Sequence, residues 1–155
     1  MKNIFYYNTK IGRIGIEENG TAITKLDFIN KDMEEEIIEE NETALLKKAI
    51  NELNEYLDGN RSSFDLPLDP KGTEFQKKVW NALKEIPYGE TRSYGEIAKI
   101  IGNEKAARAV GMANNKNPIA IIVPCHRVIG ANGKLVGYAG GLDLKEKLLQ
   151  LESMK

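Results

Sequence analysis

The sequence predicts an α/β chain. A small N-terminal sheet-and-helix domain is expected to pack on a mainly helical C-terminal domain that contains a helix-turn-helix. Three observations carry this expectation. Short alternating or apolar runs fill the stretch before residue 30. Helical periodicity with capping signatures dominates from Thr43 onward. Between them, Arg61 to Lys71 holds Pro67 and Pro70 and reads as a linker, and the charge balance reverses there. Residues 1–69 hold 8 Lys/Arg against 15 Asp/Glu, whereas residues 70–155 hold 14 against 8. The expected domains are therefore 1–69, linker included, and 70–155.

Taken in order, Ile4–Tyr7, Gly12–Glu17 and Ala22–Phe28 read as strands, with Glu18-Asn19-Gly20 as a hairpin turn. Lys31–Glu42 is acidic and fits an exposed loop or a frayed helix start. Thr43–Leu57 is a helix, because Leu46, Ile50, Leu53 and Leu57 recur at spacings of four, three and four. Asp58-Gly59-Asn60 stops it. Thr73 can cap a helix carrying Phe75, Val79, Trp80 and Leu83, which Ile86-Pro87-Tyr88-Gly89 ends. Ser93 with Glu96 forms a capping box for a short helix through Tyr94, Ile97, Ala98 and Ile101. After Gly102-Asn103 a third helix holds Ala106 to Met112. These two helices fit a helix-turn-helix, although ordinary core packing explains the same pattern. Ile119–Val123 reads as a buried strand. Gly130–Gly133 is a turn, Gly137–Gly141 a loop, and Asp143 with Glu146 a second capping box opening the last helix, with Leu144, Leu148 and Leu149 facing inward.

Composition narrows the function. The 41% apolar share suffices for a packed core, and no run approaches the length of a membrane span. The opening residues lack the apolar stretch and cleavage site of a secretory signal. A single cysteine rules out an internal disulfide and any zinc site built from several thiols. No metal, no cofactor and no membrane partner are therefore expected, and a reducing, cytoplasmic setting is. The basic C-terminal half can face an anion such as nucleic acid, though a plain solvated surface fits it too.

The chemistry-bearing feature is Pro124-Cys125-His126-Arg127, which sets the one thiol beside the one imidazole. A thiolate is the nucleophilic form of cysteine, and a neighbouring His or Arg favours it. A thiol enzyme also needs a proton acceptor and a group that orients it. His126 can serve as the acceptor. Glu146, near the start of the last helix, is the expected partner of the imidazole, with helix capping as its competing role. Arg127 can lower the thiol pKa or pair with an acidic group. A buried, inert cysteine is the plain alternative.

The run Pro118 to Ile129 resembles the active-site segment of the O6-alkylguanine-DNA alkyltransferases, the methylated-DNA–protein-cysteine methyltransferase family. The resemblance extends through Phe75-Gln76, Val79-Trp80, Ile86-Pro87, Gly89, Ser93-Tyr94, Ala106 to Gly111, Asn117-Pro118, Gly137 to Leu142 and Lys145-Glu146. It covers nearly all of the chain beyond Pro70, with the motifs in order.

That resemblance implies irreversible transfer of an alkyl group from guanine O6 to Cys125, one turnover per molecule. It implies a glutamate–histidine–water–cysteine network of Glu146, His126 and Cys125, with Tyr94 donating toward the base N3 and Asn117 holding the turn. The double-stranded DNA partner is expected to bind by its minor groove, with Arg108 filling the space left by a flipped nucleotide. Thr91, Ser93, Ala107, Ala109 and Gly111 are the further DNA-binding residues. Tyr94, Met112, Val128, Tyr138, Ala139 and Gly140 are expected to line the base pocket. Human-type relatives carry a serine where Ala139 stands, so only a backbone N–H is left there to meet O6. A structural zinc site in the first domain is not expected, because residues 1–69 contain neither Cys nor His. The free protein is expected to be monomeric. A non-catalytic alkylated-base binder and a general thiol hydrolase are the competing functions.

Overall fold

Strand alternation in the first third produces a three-stranded antiparallel meander of β1 (Asn3–Thr9), β2 (Gly12–Glu18) and β3 (Ile23–Phe28), ordered β1-β2-β3. The computed structural model describes residues 2–29, 40–138 and 140–153. The acidic stretch expected over Lys31–Glu42 lies outside the described residues as far as residue 39. Ile14, Ile16, Ile23 and Leu26 are buried, as are Leu46, Ala49, Leu53 and Tyr56 of α1 (Ala44–Leu57). The period-2 face of the sheet and one helical face thus supply this unit's core. Thr43 caps α1 by accepting from the Leu46 N–H at 3.2 Å.

The β2–β3 turn is organised by side chains. Asn19 Oδ1 accepts from the Ala22 N–H (3.0 Å), and the buried Glu18 carboxylate accepts from the Gly20 N–H (2.8 Å). The stretch read as linker is partly sheet. The Ile23 N–H donates to the Pro67 carbonyl and the Asp69 N–H donates to the Ile23 carbonyl, both at 2.8 Å, a parallel bridge on the edge of β3. Proline tolerates that position because its carbonyl, not an N–H, is what the edge needs.

The chain divides into two compact units, Met1–Pro70 and Lys71–Lys155. In the second, α2 (Glu74–Lys84) begins with a reciprocal Thr73–Gln76 capping box, and α3 (Tyr94–Ile100) with a Ser93–Glu96 one. Gly102, at φ +83°, makes the turn to α4 (Ala107–Asn115), completing a helix-turn-helix. Trp80 of α2 is buried and donates its indole N–H to the Ala113 carbonyl of α4 at 2.8 Å. β4 (Arg92–Ser93) pairs in parallel with β5 (Val128–Ile129), and α5 (Leu142–Ser153) closes the unit. Asp143 lies within the first turn of α5 rather than at its cap, since the Lys145 N–H already donates to the Gly141 carbonyl at 3.1 Å. Among the described residues no helix is long and apolar enough to cross a membrane.

The strand expected at Ile119–Val123 is a tight, irregular turn. All five residues are buried, and several of their backbone groups bond locally. The Ile122 N–H donates to the Ala120 carbonyl (2.8 Å) and the Val123 N–H to the Ile119 carbonyl (3.0 Å). Asn117 adds two more bonds, accepting from the Ile119 N–H at 3.0 Å and donating to the Val123 carbonyl at 2.8 Å. A side chain that occupies backbone groups in this way competes with a sheet ladder. Ile121 is left at φ +71°, a left-handed conformation that costs a β-branched residue roughly 1–3 kcal/mol.

Candidate active site

That turn delivers Cys125. Pro124 leaves it at ψ 65°, and Cys125-His126-Arg127 form one turn of 3-10 helix. The Cys125 N–H donates to the Val123 carbonyl (2.8 Å), and the Asn114 amide of α4 donates to the Cys125 carbonyl (3.4 Å). The sulfur is buried, and burial pushes its pKa above the ordinary thiol value. The Asn117 side-chain N–H, the Lys145 charge and nearby backbone N–H groups work against that rise. The resting group is a thiol in surroundings that partly stabilise its anion.

His126 is buried, and its Nε2 lies 2.6 Å from Glu152 Oε2. Burial lowers the imidazole pKa. The Glu152 hydrogen bond and charge oppose that effect, while Arg127 and Lys145 reinforce it. A neutral ring whose Nε2–H is donated to the carboxylate carries its lone pair on Nδ1, the tautomer of a general base. The orienting acid is therefore Glu152, not Glu146. Glu146 is exposed, accepts only from Gln150 Nε2 of the next turn (3.4 Å), and lines a cleft of about 340 Å³ with Thr91, Leu135 and Gln150. The reason is helical phase. Lys145, Leu148 and Glu152 follow at i, i+3 and i+7 on the buried face of α5, and Glu146 is rotated off it.

Glu152 is multiply held. Arg127 Nε donates to Oε1 (2.8 Å), Arg127 Nη2 to Oε2 (3.1 Å), and the Gly89 N–H to Oε1 (3.4 Å). Arg127 Nη1 donates to the Ile86 carbonyl at 2.7 Å, so both sequence options for Arg127 resolve into pairing with a buried carboxylate. Gly89, at φ +83°, lets the 86–91 loop approach α5, where an added Cβ would sit 3.3 Å from the Glu152 carbonyl.

Lys145 is fully buried. Its Nζ donates to the carbonyls of Val128 (2.6 Å), Val136 (2.8 Å) and Gly137 (3.4 Å), and burial lowers its pKa against the favourable charge of a Cys125 thiolate. The Tyr94 hydroxyl donates to the same Val136 carbonyl at 3.2 Å. Burial raises the phenol pKa, and a charge on Cys125 raises it further. Lys145 thus ties the thiol turn to the 134–141 loop, with Tyr94 on the shared carbonyl. Tyr138 sets its ring edge-on to His126, with centroids 6.5 Å apart, and the Gly141 N–H closes a turn onto the Tyr138 carbonyl at 3.0 Å. Gly140 is half-buried in that turn. Ala139 lies outside the described residues.

The residues expected to face DNA fall mostly on α4. Arg108 and Ala109 are exposed, and Met112, one turn beyond Arg108, is 69% exposed. Arg108 makes no hydrogen bond or ion pair among the described residues. Ala107 and Gly111 are half-buried, and Gly111 faces Tyr94, an added Cβ falling 3.8 Å from its ring. Thr91 is exposed, whereas the Ser93 hydroxyl oxygen is engaged as the cap of α3. The structure thus gathers Cys125, His126, Asn117, Tyr94, Val128 and Tyr138 around one turn. It leaves Glu146 outside, and Met112 stands on the open α4 surface. Glu152, Lys145 and Asn114 were not singled out from the sequence. Charged residues in phase with Leu148 were the available signal for the first two.

The family profile described as "6-O-methylguanine DNA methyltransferase, DNA binding domain" matches residues 74–154, and "6-O-methylguanine DNA methyltransferase, ribonuclease-like domain" matches residues 4–70. A methylated-DNA–protein-cysteine methyltransferase of Methanosarcina barkeri is 53% identical over 152 residues, covering 95% of this chain and 96% of its own. The protein of the same name from Mycobacterium tuberculosis is 49% identical over 149 residues, covering 96% and 90%. The crystal structure of Mycobacterium tuberculosis OGT in complex with DNA superposes with a TM-score of 0.88 at 48% identity, covering 97% of this chain and 92% of that one.

Proposed function

Because the chain belongs to the 6-O-methylguanine DNA methyltransferase family, we propose that it repairs DNA directly, moving the O6-methyl group of guanine irreversibly onto Cys125. The observation that carries the assignment is the chain's sole thiol, buried beside its sole imidazole, whose Nε2 is committed to a buried carboxylate.

In the reaction, the Cys125 proton passes to His126, leaving an anion that the Asn117 amide and Lys145 favour. Sulfur attacks the methyl carbon opposite the guanine oxygen. The S–C bond forms, the C–O6 bond breaks, and its electron pair leaves with the base. Tyr94 donates toward N3 as that charge grows. The Val128 carbonyl accepts from Lys145 with one lone pair and keeps the other for the exocyclic amine of the base. Nothing returns the thioether to a thiol, so each molecule acts once.

A stacked base cannot reach a buried sulfur, so the nucleotide is extruded at a cost of roughly a few kcal/mol. Arg108, exposed on α4, fills the gap from the minor groove, and small Ala107, Ala109 and Gly111 permit close approach. Residues 70–155 carry this chemistry, in a cytoplasmic monomer that joins the nucleoid when bound to DNA. Incubation with a duplex containing O6-methylguanine is expected to add one methyl to the intact mass, localised to Cys125. Folded protein that converts no DNA and gains no adduct would refute the assignment.

A further inference from the structure

Arg127 enters none of these steps, yet it is only 7% exposed and has three of its nitrogens engaged. The carboxylate it grips is the one that orients His126. Glu152 Oε2 receives both His126 Nε2 at 2.6 Å and Arg127 Nη2 at 3.1 Å, and Oε1 receives Arg127 Nε at 2.8 Å. A fork of this kind compensates a carboxylate's charge more fully than a single donor does. An imidazolium forming at His126 therefore meets an anion already shared with a cation. The geometry points to Arg127 as a positioning residue that sets the proton affinity of His126, keeping the imidazole neutral until the sulfur's proton arrives.

The groups facing the ring agree. From α5 come Glu152 and Lys145. The 3-10 turn itself brings Cys125 and Arg127, and the 134–141 loop brings Tyr138. From the 86–91 loop, Tyr88 lies under the Arg127 guanidinium at 5.7 Å. Glu152 is the one carboxylate in this set, against two cations. Both Arg127 and Lys145 lower the imidazole's proton affinity. Replacing Arg127 by Met gives the whole Glu152 charge to His126. The S–H bond of Cys125 then breaks more readily, with the electron pair kept on sulfur and the proton held on Nδ1. An opposite charge at this range moves a pKa by about one unit or more, a tenfold change.

One histidine in the chain makes the test direct, because its imidazole nitrogens give a single set of long-range 1H–15N NMR signals. The wild-type ring is expected to be neutral at neutral pH, with the proton on Nε2. Arg127→Met should raise its titration by about one unit or more, whereas Arg127→Lys, which keeps the charge but loses the fork, should raise it less. In single-turnover transfer, the acid limb of the R127M rate profile should move to higher pH, because the imidazole must be neutral to take the sulfur's proton. A purely structural role would instead scale the rate equally at every pH. An imidazolium in the wild type at neutral pH, or equal shifts in R127M and R127K, would overturn the inference. Should R127M not fold, the wild-type protonation state and R127K still decide it. The kinetic arm rests on the methyl-transfer reading and the NMR arm does not. Absence of a Cys125 adduct would therefore sink that reading alone.

Discussion

Replacing Glu152 by Gln separates the structural assignment of the orienting acid from the one the sequence suggested. The substitution preserves shape but removes the charge that holds His126, two Arg127 nitrogens and the Gly89 N–H at 2.6–3.4 Å. A glutamine oxygen can still accept from one or two of these donors, but its NH2 must then meet another donor. The buried guanidinium of Arg127 is also left without an anion. Breaking a buried pair from one side costs about 3–5 kcal/mol. At roughly 2–4 °C per kcal/mol for a chain of this size, the melting temperature should fall by about 6–20 °C. Loss of an oriented base should slow single-turnover transfer by about 10²–10⁴-fold. The control is Glu146→Gln, which alters an exposed group and should change stability by less than about 0.5 kcal/mol. Thermal melts and adduct formation timed by intact mass read both quantities. Equal losses in the two variants, or a larger loss in E146Q, would refute the assignment of Glu152.

Cys125→Ser should abolish adduct formation while retaining most DNA affinity, and transfer at a comparable rate would contradict sulfur chemistry. Arg108→Ala should slow repair in duplex DNA by about 10–100-fold, in line with an extrusion cost of a few kcal/mol, and much less on the free O6-alkylguanine base. Equal losses on both substrates would remove Arg108 from base extrusion. Stability should be greatest near neutral pH. His126 binds its proton less tightly when folded, so the unfolded chain takes up the extra proton and stability falls below the ordinary imidazole value of 6.5. Cys125 holds its proton more tightly when folded, so stability falls as pH rises past the ordinary thiol value of 9.0. Melts across that range check both limbs, and C125S should soften the alkaline one. Stability that rises on acidification from neutral would contradict the direction assigned to His126.

The elements that could be read from the sequence are those whose stability is local. Thr73 and Ser93 each cap the helix expected of them, and both close reciprocal boxes, because a cap depends on residues three positions apart. The meander was equally visible, since its period-2 pattern faces one helix. Ile119–Val123 was not. Its apolar run correctly signals burial, but burial does not choose between a strand and a turn. The choice was made by Asn117, whose amide takes the backbone groups that a neighbouring strand would have used. Likewise Pro67 marked a break in the pattern, while the pairing of its carbonyl with Ile23 depends on a partner 44 positions away.

The misplaced acid shows the same limit inside the site. Glu146 was attractive because it stands at the start of α5 among motif residues, a linear argument. A helix turns about 100° per residue, so Glu146 and Glu152 differ by six positions and about 240°, whereas Lys145 and Glu152 differ by seven and almost return to phase. Only one of the two acids can share the buried face with Leu148, and that face is the one the 3-10 turn meets. Reading inward faces by apolar residues alone discards this. Lys145 and Glu152 count as polar, and the stripe then shrinks to Leu148 with half-buried neighbours. Two charged residues in phase with a buried leucine are themselves informative. A chain desolvates them only where partners compensate, and here the partners are His126, Arg127 and the carbonyls beside the thiol. In this protein the charged positions on the inward stripe locate the chemistry better than the acidic residue nearest to it in sequence.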